Sequence, residues 1–306
     1  MKWWRMAGRD AAELFVWPML AALLPWPVAF RMIRMIARRA WFYETDARTA
    51  FETARTRLGA NDEDDWVTRY CFMRLMDHVD LYLSLTRGGS CLEKRLIRHG
   101  EWPGDRPFVG MTFHWGGGIF ALRSMRLATG PVAGVAIVLD KAAYRGRPLL
   151  YAYLRLRNFE TARVIGGGLN FTGGAARRFV SALQRGISIC GLFDVPPLPK
   201  VKSRRTKFLG AHAVFPTGAI RLAAAHRVPL VIFRSMVDPV SGIREIWIEP
   251  AATVFNESIL FEYAVKLLEA AVRAQPAAWH MWGALDAFEK AAARSGGGEV
   301  ETRAQS

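Results

Sequence analysis

Cysteine is scarce in this chain: three residues in 306, at Cys71, Cys91 and Cys190. Their spacing forms no CxxC pair and no zinc knuckle, which excludes a disulfide scaffold and a structural zinc site. Packed, reduced thiols in a cytosol-facing protein are the expectation. Acidic residues are also few: 27 Asp and Glu stand against 42 Lys and Arg, a formal charge of +15. Such an excess draws anionic partners: a phospholipid surface, nucleic acid or an acidic carrier protein. There is no internal repeat. Gly166-Gly167-Gly168 and Gly173-Gly174, which flank Asn170 and Thr172, match neither GxxxxGK[ST] nor GxGxxG, so a nucleotide loop is not indicated and a flexible turn entering a helix at Ala175 is expected. Exposed N–H groups in such a turn can hold a phosphate or a phosphopantetheine.

What is abundant is apolar. Hydrophobic residues make up 51% of the chain and the mean hydropathy is +0.07, high for a soluble enzyme. The chain is long enough for one large domain or two small ones. From Leu14 to Phe30 no residue is charged, but Pro18, Pro25 and Pro27 interrupt the run. A spanning helix needs roughly 20 apolar residues. Basic residues flank the run: Lys2, Arg5 and Arg9 before it, Arg31, Arg34, Arg38 and Arg39 after it. With tryptophan and arginine favouring the headgroup zone, residues 1–43 read as an interfacial anchor lying in one leaflet. A single spanning helix is the second reading.

Residues 46 to 100 read as helices, with Phe72, Leu75, Met76 and Val79 on one face. Asp77, His78 and Asp80 belong there to a solvated helix face rather than to a metal site. After residue 105 short apolar runs appear: 108–113, 132–139, 187–193, 230–237 and 245–248. Helical stretches lie between several of them, at 119–128, 148–156, 175–185 and 219–226, and an amphipathic helix covers 257–274. Strands alternating with helices predict an α/β domain over 44–290 with one mostly parallel sheet flanked by helices. The polar end, 291–306, reads as a disordered tail.

The run 108–113 delivers His114 to the turn Gly116-Gly117-Gly118, and a helix follows. An imidazole beside the free N–H groups of a helix N-terminus suits acyl transfer, which needs a base and an anion cradle. A satisfied structural histidine has the same local pattern. Lys200, Lys202, Arg204, Arg205 and Lys207 put five positive charges into eight residues, as a solvated loop or one that contacts an anion. Aromatics are not interleaved with them, so a single-strand nucleic-acid platform is not expected. Thr217-Gly218 before a helix, with Arg221 one turn in, read as a cap or as a phosphate cradle.

In their order, these blocks resemble the lysophospholipid acyltransferase superfamily, in particular the bacterial lipid A biosynthesis (lauroyl/myristoyl) acyltransferases. The apolar N-terminal segment falls at the family's anchor, and Phe113-His114-Trp115-Gly116 at its histidine block. Arg177-Arg178-Phe179 with Leu183-Gln184-Arg185-Gly186 is similar to its helix and turn, and 187–194 to the strand that follows, ending in an acid. Phe208-Leu209-Gly210 and Phe215-Pro216-Thr217-Gly218 are similar to its third block, and 276–282 to its closing Pro-x-x-Trp-x-Trp region. The resemblance implies an acyltransferase at the cytoplasmic face of a bacterial inner membrane. It would take an acyl chain from an acyl carrier protein or coenzyme A thioester to a lipid or glycolipid hydroxyl, with no cofactor or metal. It casts His114 as general base, Gly116, Gly117 and Gly118 as the thioester-binding element, and Arg204, Arg205, Thr217, Gly218 and Arg221 as acceptor-side or donor-side contacts. One position departs: the family's acid five residues after the histidine is Ile119 here, and no other histidine has an acid at that offset. Three readings follow: a strand-end carboxylate such as Asp194 or Asp140 replaces it, the histidine works alone, or the chain is a non-catalytic lipid-binding relative. Asp194, closing the run 187–193, is the chosen carboxylate.

Overall fold

The alternation of strands and helices after residue 105 builds one seven-stranded sheet. The computed structural model describes residues 2–39, 43–88, 95–171, 174–197 and 201–296. Its strands are β1 (Leu96–His99), β2 (Val109–Thr112), β3 (Val132–Ala136), β4 (Gly166–Phe171), β5 (Ser188–Leu192), β8 (Leu230–Val237) and β9 (Arg244–Ile248), with β6 (Ser203–Phe208) and β7 (Ala211–Pro216) forming a separate hairpin. The sheet order is β1-β9-β8-β2-β5-β3-β4. Every neighbouring pair in it is parallel except β8 with β9. β2 lies at the centre, where both faces are covered, and its residues Val109, Gly110 and Met111 are all buried. That is why its sequence is a continuous apolar run rather than an alternating one.

The helices are α1 (Lys2–Ala11), α2 (Trp17–Leu23), α3 (Trp26–Arg38), α4 (Glu44–Leu58), α5 (Glu63–Arg87), α6 (Gly118–Thr129), α7 (Pro148–Ile165), α8 (Ala175–Gln184), α9 (Gly218–His226), α10 (Glu257–Ala274) and α11 (Leu285–Gly296). Their ends follow local chemistry. Asn256 caps α10, its Oδ1 accepting from the Ser258 and Ile259 N–H groups at 2.9 and 3.2 Å. Leu260, Phe261, Ala264, Leu268 and Val272 then form one buried stripe at helical spacing.

Five expectations are corrected. The helical reading of 46–100 is interrupted by β1, which pairs with β9. Gly166–Gly168 are not a turn but the start of β4, because a Cβ on Gly167 would lie 2.4 Å from the Val132 carbonyl oxygen and only glycine lets the strands meet; Thr172 and Gly173 lie outside the described residues. The basic stretch is mostly strand: Ser203–Phe208 is β6, joined to β7 through Leu209 and Gly210, whose φ values of 49° and 83° suit a tight hairpin turn. Lys200 lies outside the described residues. The expected tail begins as helix, since α11 continues to Gly296; residues 297–306 lie outside the described residues. Asp77, His78 and Asp80 are not solvated but buried.

The N-terminal segment folds as α1, an irregular helical turn over Ala12–Val16, α2 and α3, with Pro25 at the break between α2 and α3. Ala21, Ala22, Ala29, Ile33 and Ala37 are sealed on the inner side. The other side exposes Val16, Met19, Leu20, Leu23, Val28 and Met35. Arg31, Arg34 and Arg38 share one face of α3 and, with Met35 and Arg39, line a groove of about 340 Å³. No described helix is long and apolar enough to cross a membrane.

Candidate active site

Parallel register brings the two chosen side chains together. Thr112 of β2 is opposite Leu192 of β5, and the Phe193 N–H still donates to the Thr112 carbonyl at 2.9 Å. Two residues on, His114 stands beside Asp194, at the C-terminal edge where open α/β sheets gather their sites. The His114 backbone N–H donates to both Asp194 oxygens at 2.9 Å, and His114 Nδ1 lies 3.0 Å from Asp194 Oδ1. Trp279 Nε1 donates to Asp194 Oδ2 at 2.8 Å. Asp194 is fully sealed, while the His114 side chain keeps 33% of its surface. The base is therefore reachable and its carboxylate partner is not.

This geometry fixes the tautomer. An ionised carboxylate only accepts, so Nδ1 carries the proton and Nε2 is the basic atom. Burial pulls the His114 pKa down, but the Asp194 charge and hydrogen bonds outweigh it, and the net shift is upward. Ile119, at the offset where the resemblance expects an acid, is buried in the first turn of α6. Asp140, the other carboxylate considered, caps a 3-10 turn by accepting from the Ala142 N–H at 2.9 Å.

The glycine turn is held on three sides. Gly116 has φ +46°, and a Cβ there would strike the Ser235 carbonyl oxygen at 2.3 Å. Its N–H donates to the Ala278 carbonyl at 3.2 Å, so Gly116 is a brace and not an anion donor. A Cβ on Gly117 would lie 2.7 Å from Asp80 Oδ2, and the Gly117 carbonyl accepts from Ser235 Oγ at 2.6 Å. α6 starts at Gly118 with no side-chain cap, which leaves its first-turn N–H groups without a capping side chain.

Two ion pairs made by α5 carboxylates stand behind this turn, the first buried and the second half-buried. Arg244 Nη2 donates to Asp80 Oδ1 at 2.7 Å, and its guanidinium is 4.5 Å from the ring centroids of both Trp26 and Phe120. Burial pushes the Asp80 carboxyl up to about 6 despite the pull of Arg244. Arg157 of α7 grips Asp77 through both oxygens at 2.7 and 2.9 Å. Burial opposes ionisation of Asp77, yet the guanidinium holds it well below the usual carboxylate range. His78 shares its Nδ1 with the Tyr153 hydroxyl, and burial drives its pKa down to about 3.

The remaining sequence candidates sit elsewhere. Arg204 lies 5.2 Å over the Phe261 ring and 3.5 Å from Glu262. Arg205 is exposed on β6. The Thr217 hydroxyl donates to the Lys202 carbonyl at 3.3 Å and does not cap α9, which starts at Gly218. Arg221 is 3.7 Å from Glu257. This hairpin reaches the neighbours of Asp194 through rings: Phe215 stacks on Phe193 at 5.1 Å, and Phe208 meets Trp279 edge-on at 5.6 Å. Sequence reasoning missed Trp279 as the third donor to Asp194, and missed Asp80, Arg157 and Arg244. The tryptophan had a signal in its motif; the others had none beyond charge inside an apolar stretch.

No family model matches the chain, and neither does any curated protein. Among solved structures it is similar to the crystal structure of the 1-acyl-sn-glycerophosphate (LPA) acyltransferase PlsC from Thermotoga maritima. The identity is 14%, over 79% of this chain and 97% of that one, and the TM-score is 0.36. At that identity and score, the reading of the site rests on its own residues and geometry.

Proposed function

We propose that this chain is a membrane-surface acyltransferase, with His114 as general base and Asp194 as its orienting carboxylate. The observation that carries the reading is the sealed Asp194 bonded to a reachable His114, next to the uncapped start of α6. In the reaction, His114 Nε2 takes the proton of an acceptor hydroxyl as its oxygen attacks the thioester carbonyl carbon. First-turn N–H groups of α6, from Gly118 onward, face the oxyanion that forms. The C–S bond then breaks, and the leaving thiolate takes the proton back from His114. Asp194 stabilises the imidazolium between the two transfers. The ordered sequence blocks supply the substrate class: an acyl carrier protein or coenzyme A thioester as donor, and a lipid or lipid A-like glycolipid as acceptor. The exposed Arg205 and Lys207 on β6 offer positive charge to either anionic donor. The work would be done at the cytoplasmic face of a bacterial inner membrane.

The test is direct. Purified protein given radiolabelled acyl thioester and a bacterial lipid extract is expected to release free thiol and label lipid in equal amounts. No thiol release would return the chain to a non-catalytic lipid-binding role, and release that ignores added lipid would make it a thioester hydrolase instead of a transferase.

Attachment is a second expectation. The outward residues of α2 and α3 supply the apolar contact and the arginines of α3 the electrostatic one. Leu20→Gln, Leu23→Gln and Val28→Gln together leave the buried side untouched. They should weaken flotation with phosphatidylglycerol-containing vesicles by at least about tenfold. Undiminished flotation would move the anchor to another surface.

A further inference from the structure

A second cavity, of about 270 Å³, opens between α4, α5 and the 3-10 turn at Trp282–Ala284, lined by Asp46, Thr49, Tyr70, Arg74, His280 and Gly283. His114 is not among its walls. Two nitrogens in those walls, Arg74 Nε and His280 Nε2, are buried without a hydrogen-bond partner. Arg74 also has no carboxylate within ion-pair distance among the described residues. The groups nearest its charge are already engaged or unsuited. Asp77 is gripped by Arg157, Asp46 is largely exposed and 3.7 Å from Arg9, and the Tyr43 ring lies 5.8 Å under the guanidinium. Against the cost of burial, Tyr70 and Tyr43, with Asp77 and Asp46, favour its charged form from a distance, but neither carboxylate pairs with it directly, as a mostly buried cation normally requires.

We infer that this cavity is a binding site for a phosphate group, free or as a monoester, with Arg74 as its counter-charge and His280 Nε2–H as a second donor. A guanidinium fork fits a tetrahedral oxyanion through two parallel bonds. Burial keeps His280 neutral, its pKa held well below the usual histidine value, so one ring nitrogen carries a proton to donate. The volume exceeds what a bare phosphate fills, leaving room for an ester substituent. His280 also ties the site to the segment bracing the catalytic turn: its N–H donates to the His114 carbonyl at 2.9 Å.

The full chain is titrated with inorganic phosphate, and separately with glycerol phosphate, at ionic strength fixed by sodium chloride. The readouts are the His280 ring resonance, assigned with His280→Gln, and the thermal midpoint. A saturable shift of that resonance with a rising midpoint is expected. Arg74→Gln should weaken it at least about tenfold, as loss of a buried charge partner does. Should Arg74→Gln fold poorly, Gly283→Leu serves: a Cβ there meets nothing within 4 Å, so the side chain can occupy the cavity while Arg74 stays. Saturation by both ligands identifies a site for phosphate itself, and saturation by the ester alone identifies a headgroup site. No saturation by either, or equal binding in both variants, overturns the inference. Binding is read without turnover, so the outcome is independent of acyl transfer.

Discussion

His114→Ala is expected to lower acyl transfer by at least about 100-fold, the scale on which a general base contributes. Asp194→Asn should come close to it, although only one atom changes. Three donors converge on the Asp194 carboxylate: the His114 backbone N–H, His114 Nδ1 and Trp279 Nε1. An asparagine amide has one accepting oxygen, so either orientation sets its NH₂ against a donor. With NH₂ toward the ring, the imidazole must move its proton to Nε2, which then cannot serve as base. The pH profile separates this from damage to the fold. The working base is neutral, so the rate climbs as pH rises through the raised pKa of His114, above its ordinary 6.5. In Asp194→Asn the charge that raises it is gone while burial remains, and the acid limb should move to lower pH. A folded Asp194→Asn enzyme with wild-type turnover and an unmoved limb would remove the pair from the mechanism.

Much of this arrangement could be read before the fold was known, and the reasons differ by element. The five apolar runs after residue 105 each contain a strand; β2, β5 and β8 are continuous runs because they are largely buried, β9 alternates, and β3 stops at Ala136, leaving Ile137 and Val138 exposed beyond it. Parallel pairing of β2 with β5 puts their C-terminal ends side by side, which made a carboxylate 80 residues away a reasonable partner for His114. β4 was missed because three consecutive glycines carry no strand propensity; only the close approach to Val132 explains them. β6 was missed because its basic residues alternate outward, leaving Arg204 and Thr206 half-buried and Phe208 sealed, so the period of two was hidden behind charge. The polar core of α5 was misjudged for the converse reason. Asp77 and Asp80 lie three residues apart and look solvated, but their arginine partners come from Arg157 and Arg244, 80 and 164 residues on. Long-range ion pairs leave no local pattern.

The larger effect on stability is expected at Asp80 and Arg244. Arg244→Met should cost about 3–5 kcal/mol, the usual result of leaving one member of a buried ion pair alone. In a chain of this size that is a fall of roughly 10 °C in thermal midpoint. The cost has two separable parts. Methionine loses the cation contacts with Trp26 and Phe120, at any pH. It also strands the Asp80 charge, which matters only while that carboxyl is ionised. Asp80 titrates higher in the fold, at about 6, than its ordinary 3.8, so the folded state holds its proton more tightly. Its contribution to stability is therefore greatest in acid and declines as pH rises from about 4 to 6. Without Arg244 the folded pKa rises further, since burial is then opposed only by the weaker pull of Arg157. The gap in midpoint between Arg244→Met and wild type should thus be widest at pH 8 and narrow by about half at pH 5, and groups common to both proteins cancel in the difference. Asp80→Asn combined with Arg244→Met should recover part of the loss at pH 8, because no charge is left unpaired. A gap that stays constant with pH would assign the whole cost to lost packing on Trp26 and Phe120. Asp80 would then be only a neighbour filling space against Gly117, and the ion pair would have no part in holding the turn that follows His114.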